Sequence, residues 1–148
     1  MKILSTLGTA ALATAATTVA TSLLGKREVG SASAPLNATS HILWGDSAAE
    51  RDGFDLSHTV VGATLNAGAM VAWAVVQEAL LGSWTRRGGV ARAVVSGVAT
   101  SAIAYVTDYH LVPKRFTPGF EKRLSGGALA AIYASLAASL AAGAHRAR

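Results

Sequence analysis

Four long stretches of this chain carry little or no formal charge, and the shorter segments between them collect most of the ionisable residues. The apolar stretches are residues 3–24, 59–81, 90–112 and 126–143. At a rise of ~1.5 Å per residue, each of the first three reaches ~33 Å, enough to cross a ~30 Å hydrocarbon core. The fourth lies near the lower limit for a span. Soluble core helices rarely run so far without a charge, and a chain with four of them would have almost nothing left to cover them. The pattern therefore predicts an all-α integral membrane four-helix bundle, a single transmembrane domain over residues 1–148, with both ends on one side of the bilayer.

Within these stretches, small and polar residues recur at helical spacing. In the fourth, Gly126, Ala130, Ala134, Ala138 and Ala142 form a small-xxx-small row, and Gly127, Ala131, Ser135, Ser139 and Gly143 form another beside it. Lipid tails are as apolar as leucine, so helices in a bilayer associate through close backbone approach, and small residues mark the contact face. The expectation is that this flat face turns inward and that Leu129, Ile132, Tyr133, Leu136 and Leu140 turn to lipid. Segment one carries eight hydroxyl residues, among them Thr6, Thr9, Thr17 and Thr21, with Ile3, Leu7, Val19 and Leu23 on another face. Segment three repeats the design: Gly97, Thr100, Ser101, Ala104 and Asp108 share a face opposite Val95, Val98, Val106 and Tyr109.

Segment one could also be read as a signal peptide, with Ala32-Ser33-Ala34 as a cleavage box. The apolar run is too long for an ordinary h-region, Lys26, Arg27 and Glu28 intervene, and Pro35 follows directly. An uncleaved span is the expectation.

The first connection, residues 25–58, is long. Its Gly30–Pro35 portion is flexible by composition. His41-Ile42-Leu43-Trp44 gives an apolar patch with a Trp suited to the headgroup zone, and Ser47-x-x-Glu50 fits the capping box of a short interfacial helix. Ser57 could cap the second span. The second connection, residues 82–89, is short and makes segments two and three antiparallel neighbours. In the third, Pro113 ends segment three, and Thr117-Pro118 reads as the start of a short amphipathic lead-in to segment four.

Charge sharpens this picture. The first connection holds five acids against three bases and the third four bases against one acid, −2 facing +3, so the two are expected to touch. The positive-inside count is nearly a tie. Lys2, Arg86, Arg87, Arg92, Arg146 and Arg148 lie on one side, and the seven bases of the first and third connections lie on the other. Both termini are expected in the cytoplasm, because the first segment enters like a signal anchor and the charge of the third connection is partly neutralised by the first.

Composition agrees with a lipid environment. Of the 148 residues, 51% are hydrophobic and 14% charged, against roughly 25% charged in ordinary soluble domains, and mean hydropathy is +0.40. The net charge of +5 sits at the ends of apolar stretches and not along one polar face, so nucleic acid is not an expected partner. The absence of cysteine excludes disulfides, thiolate metal sites and cysteine nucleophiles. Nine arginines against four lysines, with abundant alanine, glycine and valine, suggest a bacterium with a GC-rich genome.

Ionisable and polar groups inside a span are candidates for function. Asp108 ranks first, as a cation or proton site, or as an interfacial partner of Lys114, Arg115 or Arg51. Asn66 sits mid-span in segment two, where interhelical hydrogen bonding is its usual role, and Glu78 could pair with Arg86, Arg87 or Arg92. His41, His58 and His110 lie on the same side as Asp108, and these four are the candidates for a metal or haem site. Asp108 and His110 are two residues apart, though, and face roughly opposite ways on a helix. The triplet Asn37-Ala38-Thr39 fits a glycosylation sequon that a bacterium would leave unused. No phosphate loop, nucleophile elbow or HExxH occurs; no cofactor is expected, and an enzyme is not the leading expectation.

The stretches VPKRFTPGFEKRLS, residues 112–125, and LNATSHILWG, residues 36–45, resemble those of uncharacterised small four-span inner-membrane proteins of proteobacteria. The resemblance covers about 24 residues and implies location but no activity. Three functions follow from the residues. The first is an accessory, scaffold or assembly subunit acting through helix packing, with lipid and either a second copy or a membrane partner as its contacts. The second is a small transporter or channel using the threonine-rich first segment, Asn66 and Asp108. The third is a metal- or haem-bearing redox protein.

Overall fold

The computed structural model describes residues 2–147; Met1 and Arg148, the latter one of the bases in the orientation count, lie outside the described residues. Among these there are helices and turns but no strand. Helices α1 (Ile3–Val29), α4 (Val61–Arg86), α5 (Val90–Val106) and α6 (Gly126–Arg146) form the bundle, and two short helices, α2 (Ala34–Thr39) and α3 (His41–Trp44), lie in the first connection. π-helical turns extend α4 backwards and α5 forwards, giving spans Leu56–Arg86 and Val90–Leu111. Each predicted span exists; the first, second and fourth overrun their predicted bounds by several residues, and the third, Val90–Leu111, ends one residue short of its own.

Only about a third of each span's most apolar window is buried inside the bundle. Leu4, Leu23, Leu80, Val90 and Val98 point outward, and at 86% exposed Leu4 is almost bare of intramolecular cover. Such an apolar exterior requires lipid as its solvent. This is a multi-pass membrane protein.

Helix α6 packs along α1 and α5, α4 packs along α1 and more lightly on α5, and α4 meets α6 across the centre. Inside lie Ala10, Ala13, Met70, Ala74, Ala104, Leu136 and Leu140. Here one expectation is corrected. Gly126, Ala130, Ala134, Ala138 and Ala142 are all exposed, while Ile132, Leu136 and Leu140 face inward. The physical reason is complementarity. The surfaces that α1 and α5 present to the centre are built of alanine, glycine, serine and threonine, and a second flat face would leave a void. The branched side chains of α6 fill that hollow. Close backbone approach does occur, but elsewhere: a Cβ on Gly97 would collide with the Ala137 carbonyl, and one on Gly143 with Thr9. In α1 the expected division holds, with Thr6, Thr9, Thr17 and Thr21 buried and Ile3, Leu7, Val19 and Leu23 exposed.

The first connection is more ordered than its composition suggests. All six residues of α2 are buried. It can sit this deep because glycines face it on two spans: a Cβ on Gly25 would lie 2.6 Å from Pro35 Cγ, and one on Gly62 would overlap the Leu36 carbonyl. Asn37, fully buried, donates from Nδ2 to the carbonyls of Arg51 and Gly53, both at 2.9 Å, and accepts from Thr59 Oγ1 at 2.6 Å. Its burial closes the sequon to any modifying enzyme in the folded chain. The Ser47 segment forms a 3₁₀ turn, Asp46–Glu50, without a side-chain cap. The second span is capped by Asp55, not Ser57: the Asp55 carboxylate accepts from the His58 backbone N–H at 2.7 Å. No lead-in helix precedes α6; two 3₁₀ turns, Lys114–Phe116 and Phe120–Lys122, occupy that stretch, and Ser125 caps α6 through the Ala128 N–H.

The first and third connections meet as their charges predict. Lys122 pairs with Asp46 at 2.8 Å, Arg123 with Asp52, and Ser125 donates twice to the Glu28 carboxylate. Lys122 holds the Asp46 carboxyl below its ordinary range, by hydrogen bonding first and by charge second. Between the pairs, Gly119 takes φ +85°, a left-handed conformation, and its bare Cα lies against the Ala38 carbonyl and His41. Together the two connections form a lid of fixed structure over one end of the bundle.

Candidate functional site

Under that lid lies a cavity of about 120 Å³ between the spans. Its polar lining comes from Thr17 of α1, Thr39 of α2, Asn66 of α4, Asp108 of the third span and Tyr133 of α6. Met70, Ile132 and Leu136 supply its apolar floor, and Phe116, Pro118 and Phe120 approach from the third connection. Asn66 and Asp108, separate candidates in the sequence, thus line one chamber.

Each polar group is positioned by its own helix. Asn66 donates from Nδ2 to Thr17 Oγ1 and Thr18 Oγ1, 3.2 Å each, joining α4 to α1. Thr17 gives its own hydrogen back to the Ala13 carbonyl at 2.8 Å, so it can only accept from Asn66. That settles which end of the amide is which: the oxygen is the end left over. Asp108 lies in the π-turn Thr107–Leu111, a geometry that often accompanies functional positions. It forms no ion pair with Lys114, Arg115 or Arg51; its partner is the Tyr133 hydroxyl, which donates to Oδ2 at 2.6 Å. Tyr105 and Tyr109 pack on Tyr133 with ring centroids 5.3 and 6.0 Å away.

Tyr133 was expected to face lipid. A phenol enclosed in a span needs a partner for its hydroxyl, and that requirement is the signal for its role. Ser96 carries no such signal; it accepts from Gln77 Nε2 at 3.0 Å, tying α4 to α5.

Glu78 belongs to the opposite end. Arg86 grips both its oxygens at 2.8 Å, and the Lys2 backbone N–H adds a third bond at 3.2 Å. Arg92 instead lies over the Trp84 ring, 5.1 Å from its centroid. A second, water-sized space of about 20 Å³ sits there, among Thr6, Thr9, Gln77 and Glu78. It shares no lining residue with the larger cavity, and Met70, Ala74, Leu136 and Leu140 lie in the apolar cluster between them.

The histidines do not gather. His41 Nδ1 bonds the Ala38 carbonyl at 2.8 Å, His58 bonds Asp55 at 2.9 Å, and exposed His110 stacks against Tyr105. Among the described residues, no three His, Asp or Glu side chains lie together as a metal site would need. The His58 hydrogen bond lowers the Asp55 carboxyl from its ordinary value.

A third feature lies outside, on the lipid-facing side. A groove of about 830 Å³ runs between α5 and α6, floored by Ala130, Ala134, Ala137, Ala138 and Ala141 and walled by valines of α5. Compared with protein-family models, with curated proteins and with solved structures, this chain matches none.

Proposed function

We infer that this protein is a non-enzymatic accessory or assembly subunit of a bacterial inner membrane, working by helix packing, and that the groove between α5 and α6 receives α6 of a second copy. The observation that carries this reading is the reversed face of α6. Its unbroken Gly/Ala row, Gly126 to Ala142, is left outside although the sequence marks it for close packing. The same row on a second copy offers a matching flat surface, so a two-fold contact is self-complementary.

The chain has no cysteine, so Ala134→Cys gives a single crosslinking site. Oxidation in native membranes is expected to yield a covalent dimer, and Ala134→Leu to abolish association while leaving the monomer folded. A protein that stays monomeric, with Ala134→Leu harmless, refutes the reading; a crosslink to a different protein replaces the second copy with a heterologous partner.

A transporter or channel is the second reading, favoured by Asn66 and Asp108 meeting in one cavity. The apolar cluster of Met70, Ala74, Leu136 and Leu140 interrupts any polar path through a single copy. Liposome flux that disappears in Asp108→Asn would support transport. A metal or haem centre has the least support, since its candidate ligands lie apart; elemental analysis and a search for a Soret band test it.

Both termini are assigned to the cytoplasm, supported by the neutralisation of Lys122 and Arg123 by Asp46 and Asp52. A membrane-impermeant maleimide should label Gly53→Cys in whole cells but not Arg87→Cys.

A further inference from the structure

We propose that the cavity under the lid binds a small organic ammonium ion, through Asp108 and Asn66. The argument is a count of donors and acceptors. Every hydrogen on its polar side chains is already committed: Asn66 Nδ2 to Thr17 and Thr18, Thr17 to Ala13, Thr39 to Pro35, and Tyr133 to Asp108. Two acceptors are left over. Asp108 Oδ1 and Asn66 Oδ1 have no protein donor among the described residues, although Asn66 is 5% exposed. A lining that offers oxygen and no hydrogen selects a donor.

Charge makes that donor a cation. Of the two acids that line these interior spaces, Glu78 has Arg86, whereas Asp108 has no basic partner among the described residues. A carboxylate enclosed by apolar side chains is costly unless something neutralises it. A bare metal ion is a poor fit, since calcium and magnesium take six or more oxygens and most of this wall is apolar, with Met70, Ile132, Leu136, Phe116 and Phe120 among its residues. An alkylammonium suits both halves. Its N–H groups meet the two oxygens, and its carbon chain meets the apolar floor. Size is compatible: a 150 Å³ apolar cavity holds benzene, so about 120 Å³ holds roughly five heavy atoms.

The test uses the full-length protein in lipid nanodiscs, titrated calorimetrically with butylammonium chloride at neutral pH, against empty nanodiscs. Sodium chloride at equal ionic strength and 1-butanol serve as controls. Saturable binding of butylammonium, absent for sodium and at least tenfold weaker for butanol, is expected. Asp108→Asn should weaken butylammonium at least tenfold and leave butanol unchanged. Tyr133→Phe, which frees the second Asp108 oxygen, should retain butylammonium binding, and it keeps the comparison available should Asp108→Asn not fold. Equal binding of butylammonium and butanol would reduce the site to an apolar void. An equal response to sodium would reduce it to a salt effect. Absence of saturable binding to the wild type would overturn the proposal outright.

Discussion

Replacing Asn37 tests whether the lid is held by its buried polar bonds or merely lies where its apolar residues settle. Asn37 makes three hydrogen bonds inside a helix that is buried throughout, tying α2 to the Arg51–Gly53 strand of chain and to the start of the second span at Thr59. Each such bond has a net value of about 1 kcal/mol, so Asn37→Ala could cost about 3 kcal/mol. Two of the orphaned groups, the carbonyls of Arg51 and Gly53, belong to exposed residues and can recover water. A loss of about 2 kcal/mol is therefore expected, roughly a thirtyfold shift in the unfolding equilibrium. Asn37→Asp should be worse than alanine, because it sets a carboxylate oxygen against those two carbonyls. Thermal and denaturant unfolding in detergent give the stability, and hydrogen exchange across residues 50–60 gives the location. If Asn37→Ala unfolds within 0.5 kcal/mol of the wild type, or if aspartate is tolerated better than alanine, the lid does not depend on this side chain.

Three further outcomes follow from the same structure. Gly97→Ala should destabilise the α5–α6 pair by about 1–3 kcal/mol, since the added methyl meets backbone of Ala137 that cannot rotate away; Gly68→Ala, which has open space, is its control, and detergent unfolding compares them. Because the Asp55 carboxyl is lowered in the folded chain by His58, its contribution is present above the unfolded carboxylate pKa and is lost as pH falls through the lower folded value; Asp55→Asn should flatten that acid limb of the stability–pH curve. Arg86→Ala should destabilise more than the double variant Arg86→Ala/Glu78→Gln, because the single change strands a carboxylate whose side chain is only 11% exposed; unfolding midpoints of the two settle the order.

Hydropathy was enough to place the four spans, because a segment's freedom from charge over ~20 residues is a local property that lipid alone rewards. The contact between the first and third connections was also legible, since opposite net charge on two loops at one bilayer face leaves few alternatives. Asn66, Asp108 and Glu78 could be picked out for the same reason: a polar group in a span demands a partner. Their partners could not. Tyr133, Thr17 and Arg86 compete with other residues of the same type, and only the rotation of each helix chooses among them. The face of α6 was misread because small rows define where backbones can approach, not where they do. Whether Leu136 and Leu140 or Ala134 and Ala138 turn inward depends on the hollow left by α1, α4 and α5 together. Asn37 stands out in the sequence only as part of a sequon, because a lone asparagine in a Gly/Ser/Ala-rich stretch has no periodic signal, and its structural worth arises only when Gly25 and Gly62 admit α2 between two spans. The sequence by itself determined the solvent of this protein and the number of times it crosses that solvent. Tertiary packing decided which oxygens were left without hydrogens and which helix face was left without a neighbour, because both are remainders after all other contacts have formed.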